Sequence, residues 1–329
     1  MENNNLILSV KDLVVEYTSS KEVIHAVNNV SLDLEKGKTL GLVGETGAGK
    51  TTIAKSILRI LPNPPAKIKQ GEVIFEGQDL LKLDNEEIRK IRGQKISMIF
   101  QDPMTSLNPT MRVANQIADG IRRHTRCSRN DALHKAVEML EMVGIPKGRA
   151  RDYPHQFSGG MKQRVIIAIA LSCSPDLLLA DEPTSALDVT IQAQILDMIA
   201  ELKEKHGTSM ILITHDLGVV AETCDYVAII YAGEVVEYGD IYEIFDNPSH
   251  PYTKGLFNSL PDLESEETRL KPMAGMMPNP SDLPKGCKFH PRCPHATEEC
   301  MSGEVPLAQL GGTHVCRCLK TGITEKTEG

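Results

Sequence analysis

The chain has no apolar run of about 18 residues, the length a membrane-crossing helix needs, so no part of it is expected to span a bilayer. Its first residues, Met1-Glu2-Asn3-Asn4-Asn5, are polar and acidic and lack the parts of a secretory signal. The cytosol is therefore the expected compartment, with membrane attachment only through a partner. Positive charge is in deficit: 36 Lys and Arg face 44 Asp and Glu, a net charge of −8, which argues against wholesale nucleic-acid binding. The chain holds no internal repeat. It also lacks a C-x2-C pair, so it is not a zinc ribbon.

What remains is an ordinary soluble composition, 41% hydrophobic and 24% charged over 329 residues. That length suits one large domain with an appendage. Eight cysteines are spread unevenly: Cys127, Cys173 and Cys224 are scattered, whereas Cys287, Cys293, Cys300, Cys316 and Cys318 crowd the end. A reducing cytosol disfavours disulfides, which points the crowded group toward a metal site.

The chain is organised around Asp152 to Asp188. Phe157-Ser158-Gly159-Gly160-Met161 sets a hydroxyl and glycines at the mouth of a helix expected over about Met161 to Cys173. A helix N-terminus carries free N–H groups and a partial positive charge, which suits an anion. Leu177 to Ala180 reads as a buried strand that delivers Asp181 and Glu182 to its C-terminal end, where α/β sheets place ligands. Upstream, the strand Thr39–Val43 runs into Gly44-Glu45-Thr46-Gly47-Ala48-Gly49-Lys50-Thr51 and a helix from Thr52 to Leu61. This is a phosphate-binding loop in its strand–loop–helix context. Its glycines let backbone N–H groups curl round phosphates, Lys50 reaches the β and γ phosphates, and Thr51 offers a hydroxyl to Mg²⁺. A phosphate cradle, an anion-binding helix and paired carboxylates together point to nucleotide hydrolysis.

Further strands are expected at Leu6–Tyr17, Ala26–Leu34, Gly71–Phe75, Lys95–Phe100 and Ser209–Thr214, with a closing hairpin over Tyr226–Tyr231 and Glu234–Gly239. Arg112 to Ile145 reads as helical. Asp102 to Pro109, with its prolines and no periodicity, reads as a loop. Beyond Pro261 the character changes to a charged, then proline- and methionine-rich, then cysteine-bearing segment. The boundary is therefore placed near residue 260, giving domains 6–260 and 261–329.

These residues resemble the ATP-binding-cassette (ABC) ATPases. Phe157 to Met161 is similar to the signature motif, with Phe for the usual first Leu and Met for the usual final Gln. Asp181-Glu182 resembles the Walker B end and Ser185-Ala186-Leu187-Asp188 the D-loop. The resemblance implies an α/β fold of the P-loop NTPase class: a RecA-like core, an antiparallel β subdomain, a helical subdomain and a small cysteine-rich C-terminal extension. It implies ATP and Mg²⁺ as cofactors. Tyr17 would stack on adenine, and Thr52 would join the loop's contacts. Gln101 and Asp181 would lie near Mg²⁺, Gln101 also touching the attacking water. Glu182, reached by alternation from Asp181 along the strand, would act as general base, and His215 would contact the γ-phosphate. Ser158, Gly159, Gly160 and Asp188 would serve the head-to-tail dimer, in which the signature motif caps the γ-phosphate held by the partner.

Gln101 to Pro109, Tyr153 to Met161 and the cysteine-bearing tail narrow the resemblance to the ATPase subunits of bacterial dipeptide/oligopeptide importers. This branch implies pairing with a homologous ATPase, identical or different, beneath two membrane permeases on the cytoplasmic face, with an extracellular binding protein delivering substrate. Nickel and oligosaccharide importers belong to the same branch. The tail departs from the family pattern where Pro272-Met273-Ala274-Gly275-Met276-Met277-Pro278 stands in place of Ile-Pro-Gly. Spacing alone does not separate zinc, completed by His290, His295 or His314, from an iron–sulfur cluster or from reduced thiols. The resemblance implies a [4Fe–4S] cluster on Cys287, Cys293, Cys300 and Cys318, with Cys316 competing for the fourth place and Zn²⁺ as the alternative. A soluble ABC ATPase acting on nucleic acid or ribosomes is the competing function. The acidic charge and the lack of sustained heptads between Lys50 and Ser158 argue against it. A metal-sensing regulator that uses ATP only as a switch is a third reading, opposed by the intact Glu182 and His215.

Overall fold

The computed structural model describes residues 5–185, 187–259 and 273–321. β1 (Leu6–Thr18) and β2 (Val23–Glu35) lead to β3 (Thr39–Val43) and α1 (Lys50–Ile57). β4 (Ala66–Phe75), β5 (Gln78–Asp79), α2 (Asn85–Ile91), β6 (Ile96–Ile99) and α3 (Pro103–Ser106) follow. Next come α4 (Val113–His124), α5 (Arg129–Met142), α6 (Gly159–Leu171), β7 (Leu177–Asp181) and α7 (Val189–His206). The order closes with β8 (Ser209–Thr214), α8 (Leu217–Thr223), β9 (Tyr226–Tyr231), β10 (Glu234–Asp240), α9 (Ile241–Asp246), α10 (Pro251–Phe257), β11 (Ala308–Gly311) and β12 (His314–Cys316). Among the described residues no helix is long and apolar enough to cross a membrane. Two compact units result, one from 1–8, 34–39 and 74–213, the other from 9–33, 40–73 and 214–329.

In the first unit β6, β7 and β8 form a parallel ladder, with Ile96 opposite Leu177 and Leu177 opposite Ser209. Every residue of β7 is buried, as expected of a strand covered on both faces. The helices start where the sequence supplies acceptors. Asp84 Oδ1 accepts from the N–H groups of Glu86 and Glu87, both at 2.8 Å, and Glu87 reaches back to the Asp84 N–H, a capping box that opens α2. The stretch expected to be helical from Arg112 to Ile145 forms two helices, α4 and α5. Thr125 leaves the helix with its hydroxyl donating to the Ile121 carbonyl at 2.8 Å, and Ser128 caps α5. Short hydroxyl side chains that bond nearby backbone compete with helix continuation, and the apolar period alone does not reveal this. The segment expected as a loop after Gln101 contains the single turn α3, tied by Ser106 Oγ donating to the Asp102 carbonyl at 2.7 Å.

In the second unit β1 lies between β2 and β4. β3 runs parallel to β9. β9 and β10 form the expected antiparallel hairpin, turning through Ala232 and Gly233 at φ 47° and 79°. The outer partner of β10 is β12, with Glu237 opposite Cys316, and β12 pairs in turn with β11. The tail thus supplies strands that its sequence did not announce. Glu237, fully buried, gathers the N–H groups of Ser249 (2.6 Å) and His250 (3.0 Å) and Nε2 of His314 (2.7 Å). A buried carboxylate is tolerated only when so completely partnered. The boundary expected near residue 260 lies outside the described residues.

Candidate active site

In the second unit, the segment from Gly44 to Lys50 is a loop that closes on α1. Gly44 and Gly49 hold φ 155° and 104°. A Cβ on Gly44 would lie 2.1 Å from the Ile230 carbonyl oxygen, and one on Gly49 would lie 2.4 Å from that of Ala26, so only glycine fits at either place. Lys50 is 5% exposed, and its Nζ donates to the carbonyls of Gly44 (2.6 Å) and Glu45 (2.9 Å), which keeps the ammonium inside the loop. Thr46 and Gly47 are exposed at the rim, while Ala48 is buried and donates its N–H to the Glu45 carbonyl at 3.1 Å. Thr51 and Thr52 occupy the first turn of α1. Tyr17, near the end of β1, has its hydroxyl 3.4 Å from Thr52 Oγ1, so the residue expected at adenine is next to the loop's helix. His215 is exposed directly after β8. A glycine-lined turn with an enclosed lysine at a helix start fits a polyphosphate.

In the first unit, Asp181 is the last residue of β7 and 2% exposed. Glu182 is not on the strand, and alternation does not set its direction. Its φ is 46°, and its N–H donates to the Ile213 carbonyl at 2.9 Å. A left-handed backbone costs a non-glycine residue about 1 kcal/mol or more, a strain that neighbouring structure has to impose. This turn brings Glu182 Oε2 to Gln101 Nε2, which donates to it at 2.8 Å. The two residues assigned to the attacking water are therefore in direct contact.

The signature helix α6 begins at Gly159, earlier than expected. Ser158 is its N-cap, with Oγ accepting the Met161 N–H at 3.4 Å. Gly159 and Gly160 fall in the first turn, and a Cβ on Gly160 would sit 2.9 Å from Ile191 Cγ2 of α7. Asp188 is the N-cap residue of α7, and Ala186 beside it lies outside the described residues. The sequence reading passed over Arg149. Its guanidinium lies 4.6 Å above the Phe157 ring and donates to Asp152 Oδ2 (2.5 Å) and the Gln156 carbonyl (2.8 Å), propping the approach to the signature. It also missed Gln163, 2% exposed, which donates to the Pro183 carbonyl at 2.5 Å and so ties α6 to the turn after Glu182. Neither residue has a local pattern that would have revealed it.

The tail corrects an expectation. Cys287, Cys293, Cys300 and Cys318 line one compartment with His290, His295 and Phe289. Burial pushes the thiols of Cys293 and Cys318 up, and that of Cys287 up to about 11. Cys316, the competing ligand, is fully buried, and its thiol is pushed up further by burial. Among the described residues no group of three or more His, Cys, Asp or Glu side chains is placed to hold a metal ion, so neither the [4Fe–4S] cluster nor the Zn²⁺ alternative is supported. Cys300 and Cys316 are buried in the tail, and Cys287, Cys293 and Cys318 are half-buried.

Comparison with known proteins agrees with this geometry. Residues 27–185 match the family model described as ABC transporter, and residues 236–300 match the oligopeptide/dipeptide transporter C-terminal region. The oligopeptide transport ATP-binding protein OppD of Bacillus subtilis (strain 168) is 48% identical over 311 residues, covering 94% of this chain and 87% of OppD. The dipeptide transport ATP-binding protein DppD of the same strain is 49% identical over 296 residues, covering 89% of this chain and 88% of DppD. Among solved structures, the dimeric post-hydrolysis form of the ATP-binding cassette MJ0796, bound to ADP and Pi, is 30% identical. Its TM-score is 0.65, over 71% of this chain and 98% of that one. With a glycine-lined phosphate loop, a mixed sheet flanked by helices and near-half identity along almost its whole length, the chain belongs to the ABC transporter family as an ATPase with the P-loop fold.

Proposed function

We propose that this chain is the ATP-hydrolysing subunit of a membrane importer for di- or oligopeptides. The observation that carries the reading is the identity of 48% and 49% to oligopeptide and dipeptide transport ATP-binding proteins, which extends through the C-terminal region. On this reading, 6–260 is the ATP-binding domain with its antiparallel β and helical subdomains. Residues 261–329 are the extension of this branch. The chain works as a dimer with an identical or homologous ATPase, as a peripheral protein on the cytoplasmic face beneath two permeases. An extracellular binding protein supplies the peptide, and no nucleic acid is engaged.

The roles proposed for the residues are those that the resemblance to ABC ATPases implies. Backbone N–H groups of Gly44 to Thr51 cradle the phosphates, and Lys50 neutralises the β and γ oxygens. Bound Mg²⁺ would supply further charge neutralisation on those oxygens, with Thr51, Gln101 and Asp181 as its holders. Glu182 takes the proton of the attacking water, and Gln101, bonded to it, orients that water. His215 contacts the γ-phosphate, Tyr17 the adenine, and Ser158, Gly159, Gly160 and Asp188 the nucleotide across the dimer. Uptake of a labelled tripeptide by cells lacking the gene tests the reading. Uptake restored by the wild-type chain but not by Glu182→Gln is the expected result. Uptake unaffected by deletion would overturn it.

A further inference from the structure

The C-terminal segment reaches the phosphate loop through one side chain. Arg292 lies between Pro291 and Cys293, and its side chain is 6% exposed. Its Nη1 donates to both carboxylate oxygens of Glu45, at 2.9 and 3.1 Å, and lies 3.4 Å from the Tyr231 hydroxyl. Its Nε donates to the Ala274 carbonyl at 3.0 Å. The guanidinium lies 5.8 and 5.9 Å from the centres of the Tyr231 and Phe289 rings. Glu45 is also held from its backbone, its N–H donating to the Tyr252 hydroxyl at 2.9 Å. Tyr231, Tyr252 and Phe289 are buried against one another, with ring centres 4.6 to 5.5 Å apart. The same segment touches the loop again at Met277, whose Cε is 3.1 Å from where a Cβ on Gly47 would stand.

We propose that Arg292 is a positioning residue for ATP: acting through Glu45, it fixes the phosphate loop and cancels the negative charge that Glu45 brings to it. This inference rests on reading Gly44 to Thr51 as the phosphate cradle. A carboxylate beside a polyphosphate repels it, and a loop that must order itself on binding loses affinity. The buried guanidinium removes both costs at once. An arginine held on two sides by a carboxylate and a carbonyl has one geometry, whereas a lysine there would keep the charge and lose the fork.

The test is equilibrium binding of a fluorescent ATP analogue to the full chain, with KM for ATP and kcat measured in the assembled transporter. Arg292→Gln is expected to weaken binding and raise KM about tenfold while kcat at saturating ATP stays within about twofold. Arg292→Lys should recover part of the loss. In a Glu45→Ala background the further change Arg292→Gln should alter affinity by less than about twofold, because the two residues act as one unit. Two results would overturn the proposal: affinity unchanged in an Arg292→Gln chain with an unaltered melting profile, or a tenfold loss that persists when Glu45 is already Ala. Lys50→Ala serves as the separate control. If that chain bound the analogue as tightly as wild type, the cradle itself would be misread, whatever Arg292 does.

Discussion

Glu182 holds a left-handed backbone at φ 46° so that its carboxylate meets Gln101 at 2.8 Å. Such strain is kept where neighbouring structure enforces it, here by the bond from its N–H to Ile213. The proposed proton transfer makes a sharp demand on this one residue. Glu182→Gln keeps the size and the contact to Gln101 but cannot accept a proton. Turnover in the assembled transporter should fall by at least about a hundredfold, while ATP still binds and the closed dimer accumulates in size-exclusion runs with ATP. Hydrolysis at the wild-type rate would remove Glu182 from the mechanism.

The helix α6 shows how one element serves packing and proposed recognition together. Ser158 closes its N-terminus, and Gly160 lets α7 approach, with Ile191 where a side chain would otherwise stand. Ser158→Ala removes the cap and should cost about 1 kcal/mol in urea unfolding. Ser158→Asp restores a capping oxygen and should recover that stability. Its added negative charge faces the site proposed for the partner's γ-phosphate, so ATP-driven dimerisation should still be lost. A Ser158→Asp chain that dimerises normally with ATP would leave Ser158 as a cap and nothing more.

At the scale of the molecule, the second unit carries a pH-sensitive group. His250 is 1% exposed, and its Nδ1 accepts the Tyr252 N–H at 3.0 Å, opening α10. Burial pushes it down from 6.5 to about 3. Between those values the unfolded chain binds a proton that the folded chain refuses, so stability is full above pH 6.5 and falls as pH drops, by about 1.4 kcal/mol per pH unit. Urea unfolding at pH 5 should therefore show about 2 kcal/mol less stability than at pH 7. In His250→Asn, which keeps a capping side chain without a titrating ring, the drop should be smaller. An identical drop in both proteins would acquit His250.

The sequence by itself determined whatever a short segment must satisfy alone. Gly44 and Gly49 sit at backbone angles and close approaches that only glycine tolerates. The apolar run Leu177 to Ala180 read as a covered strand, and Ser158 before its glycines marked a helix start. These demands are local, so the phosphate loop, the β7 strand and the signature helix were legible in order along the chain. Tertiary structure alone decided the pairings between distant residues. Gln101 meets Glu182 across 81 positions and Arg292 meets Glu45 across 247, and no spacing rule predicts either. It also turned Glu182 off its strand and joined β12 to β10 through the buried Glu237. The crowded cysteines gave another case: they looked like ligands by number, yet among the described residues no group of three or more His, Cys, Asp or Glu side chains is placed to hold a metal ion, and only the fold could decide that.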